Sequence, residues 1–219
     1  VGPARVRFTG RDEGDLGHGG EFVHRVRADV AARRRAVVDL PWTWIRQRHG
    51  SDVLRVREPG GGCGTWADGA VTDRPGCALA VLAADCAPVA LASPEGVIGV
   101  AHAGWAGTVA GIVQATVAAM RGLGAERVSA VIGPCIRPEC YEFGPADLDR
   151  VAARYGPSVR AETAAGRPAL DLPAAVRSAL AEAGVDEVGD VGGCTACGGR
   201  HFSWRARREQ ERHAAVVWR

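Results

Sequence analysis

Lysine and asparagine are missing from this chain altogether, and all 27 of its basic residues are arginine. Without lysine there is no P-loop lysine to hold phosphates and no Schiff-base nucleophile. Without asparagine there is no asparagine-completed triad and no carboxylate–amide cage for an ion. Methionine occurs once, at Met120, within a helical pattern that is a poor place for the axial ligand of a blue-copper centre. Six histidines fall short of what three or four coupled coppers would need, so true multicopper chemistry is not expected. Apolar runs of ~18 residues, long enough to span a membrane, are also lacking, and no stretch reads as a secretory signal. Seven cysteines, an odd number at irregular spacings, then point to a reducing cytoplasm. The net charge is only +2, with arginines scattered among acidic residues, which gives no case for a nucleic-acid or membrane partner. Arg33, Arg34 and Arg35 read as the solvated face of a helix.

What is present supports one domain over residues 1–219. With 47% hydrophobic residues the chain can build a sizeable core, and at 219 residues it is too short for two comfortable domains. A first strand is expected over 5–8, followed by a Gly-rich turn region through Gly20, and a helix over 30–38 capped by Asp29 and ended by Pro41. Strands are expected over 42–46 and 53–57, and residues 60–64 form a loop. Three apolar runs follow, over 77–83, 88–92 and 97–101, the last two separated by the turn Ser93-Pro94-Glu95-Gly96. Their unbroken apolar character predicts strands covered on both faces. A helix opens at Gly107 and runs to 121, with Ile112, Val113, Thr116, Val117 and Met120 as its buried stripe. A buried strand over 128–132, helices over 146–154 and 173–183, a Gly/Cys-rich loop and a closing strand over 214–218 complete the reading. The fold class is α/β, a single layered domain with a mixed sheet flanked by helices.

Chemistry concentrates at the strand ends. Ala84-Asp85-Cys86-Ala87-Pro88 and Ala101-His102-Ala103-Gly104-Trp105 place a thiol and an imidazole at neighbouring termini, sixteen positions apart. His49, in Gln47-Arg48-His49-Gly50, stands where another apolar run stops. One cysteine and two histidines suffice to hold a metal that keeps a position open, or to form a thiol hydrolase with Cys86 as nucleophile and a histidine as base. Asp85 is a natural acceptor for an imidazole N–H, or equally a helix or turn cap. Gly104–Gly107 precedes a helix whose amides could receive an anion, and Arg205, Arg208 and Arg212 could contact phosphate. Cys194-Thr195-Ala196-Cys197 has no second pair at zinc-ribbon spacing, since four residues separate Cys135 from Cys140; these thiols read as packing near a pocket.

Six segments carry a resemblance: Gln47-Arg48-His49-Gly50, Ala67-Asp68-Gly69-Ala70-Val71-Thr72, Ala84-Asp85-Cys86, His102-Ala103-Gly104-Trp105, Gly133-Pro134-Cys135-Ile136 and Tyr141-Glu142-Phe143-Gly144. In this order they resemble the YfiH/YlmD family, also called the laccase-domain or polyphenol-oxidase-like family. Its bacterial members are named peptidoglycan editing factor. The similarity runs from Phe8 to the end, where Phe202-Ser203-Trp204-Arg205 and Arg212 resemble closing elements of the family. The resemblance implies a fold similar to cysteine hydrolases of the cytotoxic-necrotizing-factor type. It also implies a zinc or copper site with His49, Cys86 and His102 as ligands. The implied activities are phosphorolysis of adenosine, inosine, guanosine and methylthioadenosine, and hydrolytic deamination of adenosine. Older naming implies copper-dependent oxidation of phenols, and the editing-factor name implies removal of misplaced serine from a muramyl peptide precursor.

The chain departs from the family pattern at Ala106, where arginine is usual, at Asp12-Glu13-Gly14 after Arg11, and at Glu211-Arg212-His213. These departures bear on anion binding more than on metal binding. The leading expectation is a cytoplasmic zinc enzyme acting on purine nucleosides and phosphate. His49, Cys86 and His102 are its metal and catalytic residues, and Gln47, Arg48, Asp85, Arg205 and Arg212 its substrate-binding residues. The rival readings are a cysteine amidase, a copper-dependent polyphenol oxidase and a non-catalytic metal-binding domain.

Overall fold

The computed structural model describes residues 4–17, 28–185 and 187–219. The end of the expected Gly-rich turn region, residues 18–20, lies outside them. The mixed α/β reading holds, but the expected single sheet is two sheets packed face to face. One has four strands: β1 (Arg5–Phe8), β2 (Trp42–Trp44), β5 (Ala78–Ala83) and β12 (His213–Trp218), in the order β1-β12-β5-β2. The other has six: β3 (Val53–Arg55), β4 (Gly69–Thr72), β6 (Ala87–Ala92), β7 (Ile98–Ala103), β8 (Ser129–Ile132) and β11 (Glu187–Asp190), in the order β11-β8-β6-β7-β4-β3. Both sheets are mixed: β2 runs parallel to β5, β3 to β4 and β11 to β8, and the remaining pairs are antiparallel.

Each long apolar run is a strand with both faces covered, as its composition predicts. In β5, Leu79 and Val81 join the core between the sheets, while Ala78, Ala80 and Leu82 face the outer cluster with Leu16 and Trp42. Strand β12 alternates in the same way, Ala215 and Val217 inward and Ala214 and Val216 outward. On the far side of the six-stranded sheet, Val89 and Leu91 of β6 pack with helices α3 (Ile112–Arg121), α4 (Pro145–Tyr155) and α5 (Leu172–Glu182) in the largest cluster. Two Gly positions permit this contact: a Cβ on Gly69 would lie 2.6 Å from the Thr116 hydroxyl, and one on Gly99 would lie 2.9 Å from the Met120 sulphur.

Several local expectations are corrected. Asp29 is not a cap but lies in the first turn of α1 (Ala28–Val37), paired with Arg33 four residues on. Arg34 is buried rather than solvated; it donates to the Leu16 carbonyl and lies over the Trp42 and Trp44 rings, and burial lowers its pKa to about 10. The helix expected from Gly107 starts earlier, as α2 (Trp105–Ala110), and breaks at Gly111, whose φ of 92° is left-handed. Strands β4, β11 and the hairpin of β9 (Arg160–Glu162) and β10 (Pro168–Leu170) were not expected, nor was the short helix α6 (Trp204–Arg207).

Candidate metal centre

The crossing from one sheet to the other builds the site. Residues Ala84–Cys86 leave β5 in the four-stranded sheet and enter β6 in the six-stranded one, so Cys86 stands at the mouth between them. Strand β7 pairs antiparallel with β6, with His102 opposite Pro88, which brings the imidazole beside the thiol. The loop between β2 and β3 carries His49 to the same point. The ligand atoms of His49, Cys86 and His102 all lie within 4.8 Å of one another. His49 Nε2 is 3.6 Å from Cys86 Sγ, and the two imidazole rings meet edge to face at 4.9 Å.

One carboxylate sets this geometry, and the sequence reading assigned it no role. Asp68, fully buried just before β4, takes the His102 Nδ1 and the His49 amide on Oδ1, each at 2.9 Å. Its Oδ2 accepts the amides of Arg48 and Gly50 at 3.1 and 2.8 Å. The loop is thereby wrapped around the carboxylate, and His49 adopts a left-handed φ of 62° that a side chain tolerates only when its surroundings enforce it. Burial would raise the Asp68 pKa, but hydrogen bonds from His102, Gly50 and Arg48 prevail and hold it below the ordinary value.

Asp85 does not serve the imidazole. Its φ of 103° turns the carboxylate toward the 195–205 segment, where it accepts from the Thr195 hydroxyl and the Arg205 amide, each at 2.6 Å. The carboxylate thus fixes the backbone that delivers Cys86. Gln47 is also occupied structurally, since its amide bridges the N–H and carbonyl of Leu82 at 2.8 and 2.6 Å. Arg48 is exposed beside the cluster and pairs with Asp52. Arg205 lies over the Tyr141 ring at 5.0 Å and donates to the Glu142 carbonyl. Arg208 stacks on Trp204, and the Arg212 guanidinium donates to the carbonyls of Glu209 and Glu211; neither contact reaches the cluster.

The electrostatics suit a thiolate. Burial opposes ionisation of Cys86, but His102 and His49 beside it outweigh burial and lower the thiol. Burial likewise opposes the charged form of His102, and Cys86 with Asp68 reverses this and raises the imidazole. The buried hydroxyl of Tyr141 is raised, by burial first and by the nearby thiol second.

These donors also fit a metal. Asp68 occupies Nδ1 of His102, which leaves Nε2 as the donor, the arrangement usual for metal-bound histidine. A cradle is kept open above them: a Cβ on Gly104 would stand 2.8 Å from both Cys86 Sγ and His49 Cδ2. One thiol and two imidazoles suit zinc or copper, and they lie close enough together to serve a single ion.

The sequence profile of the family described as multi-copper polyphenol oxidoreductase laccase matches residues 15–219. The chain belongs to that family. It is 40% identical to a purine nucleoside phosphorylase of Streptomyces griseus, over all of this chain and 95% of the relative. A purine nucleoside phosphorylase of Streptomyces coelicolor is 42% identical over 87% of this chain and 80% of its own length. Among solved structures, YlmD from Geobacillus stearothermophilus superimposes with a TM-score of 0.83 at 30% identity, covering 99% of this chain and 92% of that one. The Bacillus licheniformis protein YfiH gives 0.84 at 27% identity, covering 98% and 92%. The family expected from the six motifs is therefore confirmed.

Proposed function

We propose that this protein is a metal-dependent purine nucleoside enzyme. It cleaves adenosine, inosine, guanosine and methylthioadenosine with phosphate to give the free base and the pentose 1-phosphate. The same site hydrolytically deaminates adenosine. The observation that carries the reading is the convergence of His49, Cys86 and His102 around an open cradle, in a chain 40% identical over its whole length to a relative named for phosphorolysis.

In this reading His49, Cys86 and His102 hold zinc or copper, and a bound ion supplies Lewis-acid polarisation and activation of water near neutral pH. Asp68 keeps the His102 ring turned and its Nδ1 protonated, so that Nε2 stays a donor atom. Gly104 leaves the space in which substrate approaches. Arg48, exposed at the rim, and Arg205, held against Tyr141, are the charges available to a phosphate. Incubation with adenosine, with and without phosphate, tests the proposal. Adenine and ribose 1-phosphate should form only with phosphate, and inosine with ammonia in its absence. If no purine product forms under either condition, the proposal fails.

A second reading has its own support in the lowered Cys86 thiol beside two imidazoles. In it Cys86 attacks an amide carbonyl and a histidine carries the proton to the leaving amine, the substrate being a serine-containing muramyl peptide precursor. Activity that survives chelation and is abolished by thiol alkylation would favour it.

A further inference from the structure

We infer that the protein carries a second site for a thiophilic metal ion, built from Cys140, Cys194 and Cys197. The three sulphurs lie within 4.8 Å of one another, although the residues are 54 and three positions apart in sequence. Two separate turns deliver them. Cys140 ends the short 3-10 turn Pro138–Cys140, and Cys194 and Cys197 bracket a turn closed by a hydrogen bond from the Gly198 amide to the Cys194 carbonyl. None of the three is in a disulfide.

The zinc-ribbon test applied to the sequence would have paired Cys194 and Cys197 with Cys135 and Cys140. In the fold the Cys135 backbone bridges Cys194 while its thiol stays in the large buried cluster, and the thiol that joins the C-x-x-C pair is that of Cys140. Three thiols from two turns are the donors preferred by zinc or copper(I) and disfavour hard cations such as magnesium and calcium. Glu139 Oε1 accepts from Cys197 Sγ at 4.0 Å, at the edge of the three-thiol group rather than within it. The Arg137 amide donates to Cys194 Sγ at 3.4 Å, the kind of N–H···S contact that steadies a metal thiolate. Cys194 is buried, Cys140 half-buried and Cys197 exposed, so an ion can enter from solvent while its far side is shielded. Coordination exchanges each S–H proton for a metal–sulphur bond and releases those protons to solvent.

The consequence is structural. An ion here clips the 194–197 turn to the 137–141 segment. The turn carries Thr195, whose hydroxyl bonds Asp85, the residue before Cys86, and Arg207 donates to the Thr195 and Ala196 carbonyls. The second ion therefore braces the wall of the first site without touching it.

The test is zinc stoichiometry by native mass spectrometry on the full chain, stripped with chelator under reductant and reloaded with zinc chloride. Cys197→Ser should lose one equivalent relative to wild type, whatever the first site holds, and Cys86→Ala should retain one. Residue-resolved iodoacetamide labelling of the wild type gives an independent reading if a variant does not fold. Zinc should shield Cys140, Cys194 and Cys197, while exposed Cys63 reacts equally with and without it. Unchanged zinc content in a folded Cys197→Ser would overturn the proposal. So would equal labelling of the three thiols with and without zinc, or their recovery as a disulfide after reduction and reloading.

Discussion

Asp68 Oδ1 and His102 Nδ1 are joined at 2.9 Å across two antiparallel strands, both side chains buried, and the same oxygen takes the amide of His49. A single carboxylate thus orients one candidate ligand through its ring and the other through its backbone. Replacing it by an amide leaves a buried NH2 facing N–H donors on one side or the other. We predict that Asp68→Asn lowers zinc affinity by about 10- to 100-fold, in line with loss of outer-shell partners at other metal sites. Competition with a chromogenic chelator measures this. Unchanged affinity would mean that Asp68 holds the loop alone.

Gly104 makes a sharper test of the cradle. A Cβ there would lie 2.8 Å from the Cys86 sulphur, too close for either group to remain in place. Gly104→Ala should lose metal and activity while costing about 1–3 kcal/mol of stability, the usual range for overpacking. Thermal unfolding beside elemental analysis separates the two effects. Full metal content in the variant would show that the donors lie elsewhere.

Stability in acid should depend on Asp190. Burial would raise this carboxyl, but the paired Arg137 guanidinium, the Gly192 amide and Arg177 prevail and lower it to about 2. A carboxylate with a depressed folded pKa contributes stability in full above its unfolded value of ~3.9 and loses it as pH falls toward 2. The contribution is roughly 2 kcal/mol. Urea midpoints measured from pH 5 to 2.5 should therefore fall less steeply in Asp190→Asn than in wild type. Parallel curves would remove Asp190 from the account.

Ala106, where the resemblance leads one to expect arginine, lies in the first turn of α2, two residues after Gly104. One charge-assisted contact contributes roughly 1.5–3 kcal/mol, about ten- to a hundredfold in affinity. Ala106→Arg should tighten phosphate saturation by that order and change deamination little, because water needs no anion site. If initial rates against phosphate are unchanged, Arg48, Arg205 or another arginine holds the anion.

Among the candidate ligands, His49 follows the short strand β2 in a polar loop. Cys86 and His102 are legible in the sequence because they end or interrupt long apolar runs, which become strands whatever their order in the sheet. Asp68 was hidden for the opposite reason. It precedes Gly69–Thr72, four small or β-branched residues without alternation, and its partners lie 18 to 34 positions away. For Asp85 the sequence leaves an imidazole acceptor and a turn cap equally open. A left-handed backbone decides for the second by turning it to Thr195 and the Arg205 amide at the start of α6. The division into two sheets left no trace either. Strands β5 and β6 are both buried on two faces, so the crossing at residues 84–86 reads like any other turn.

The central claim is that phosphorolysis runs at a metal held by His49, Cys86 and His102. Phosphate-dependent release of adenine from adenosine, followed by chromatography in chelator-stripped protein before and after zinc or copper is restored, tests it most directly. Negligible adenine is expected in the stripped protein, with recovery on adding one of these ions and no recovery in Cys86→Ala. Adenine release that persists at the wild-type rate without metal, or in Cys86→Ala, would contradict it.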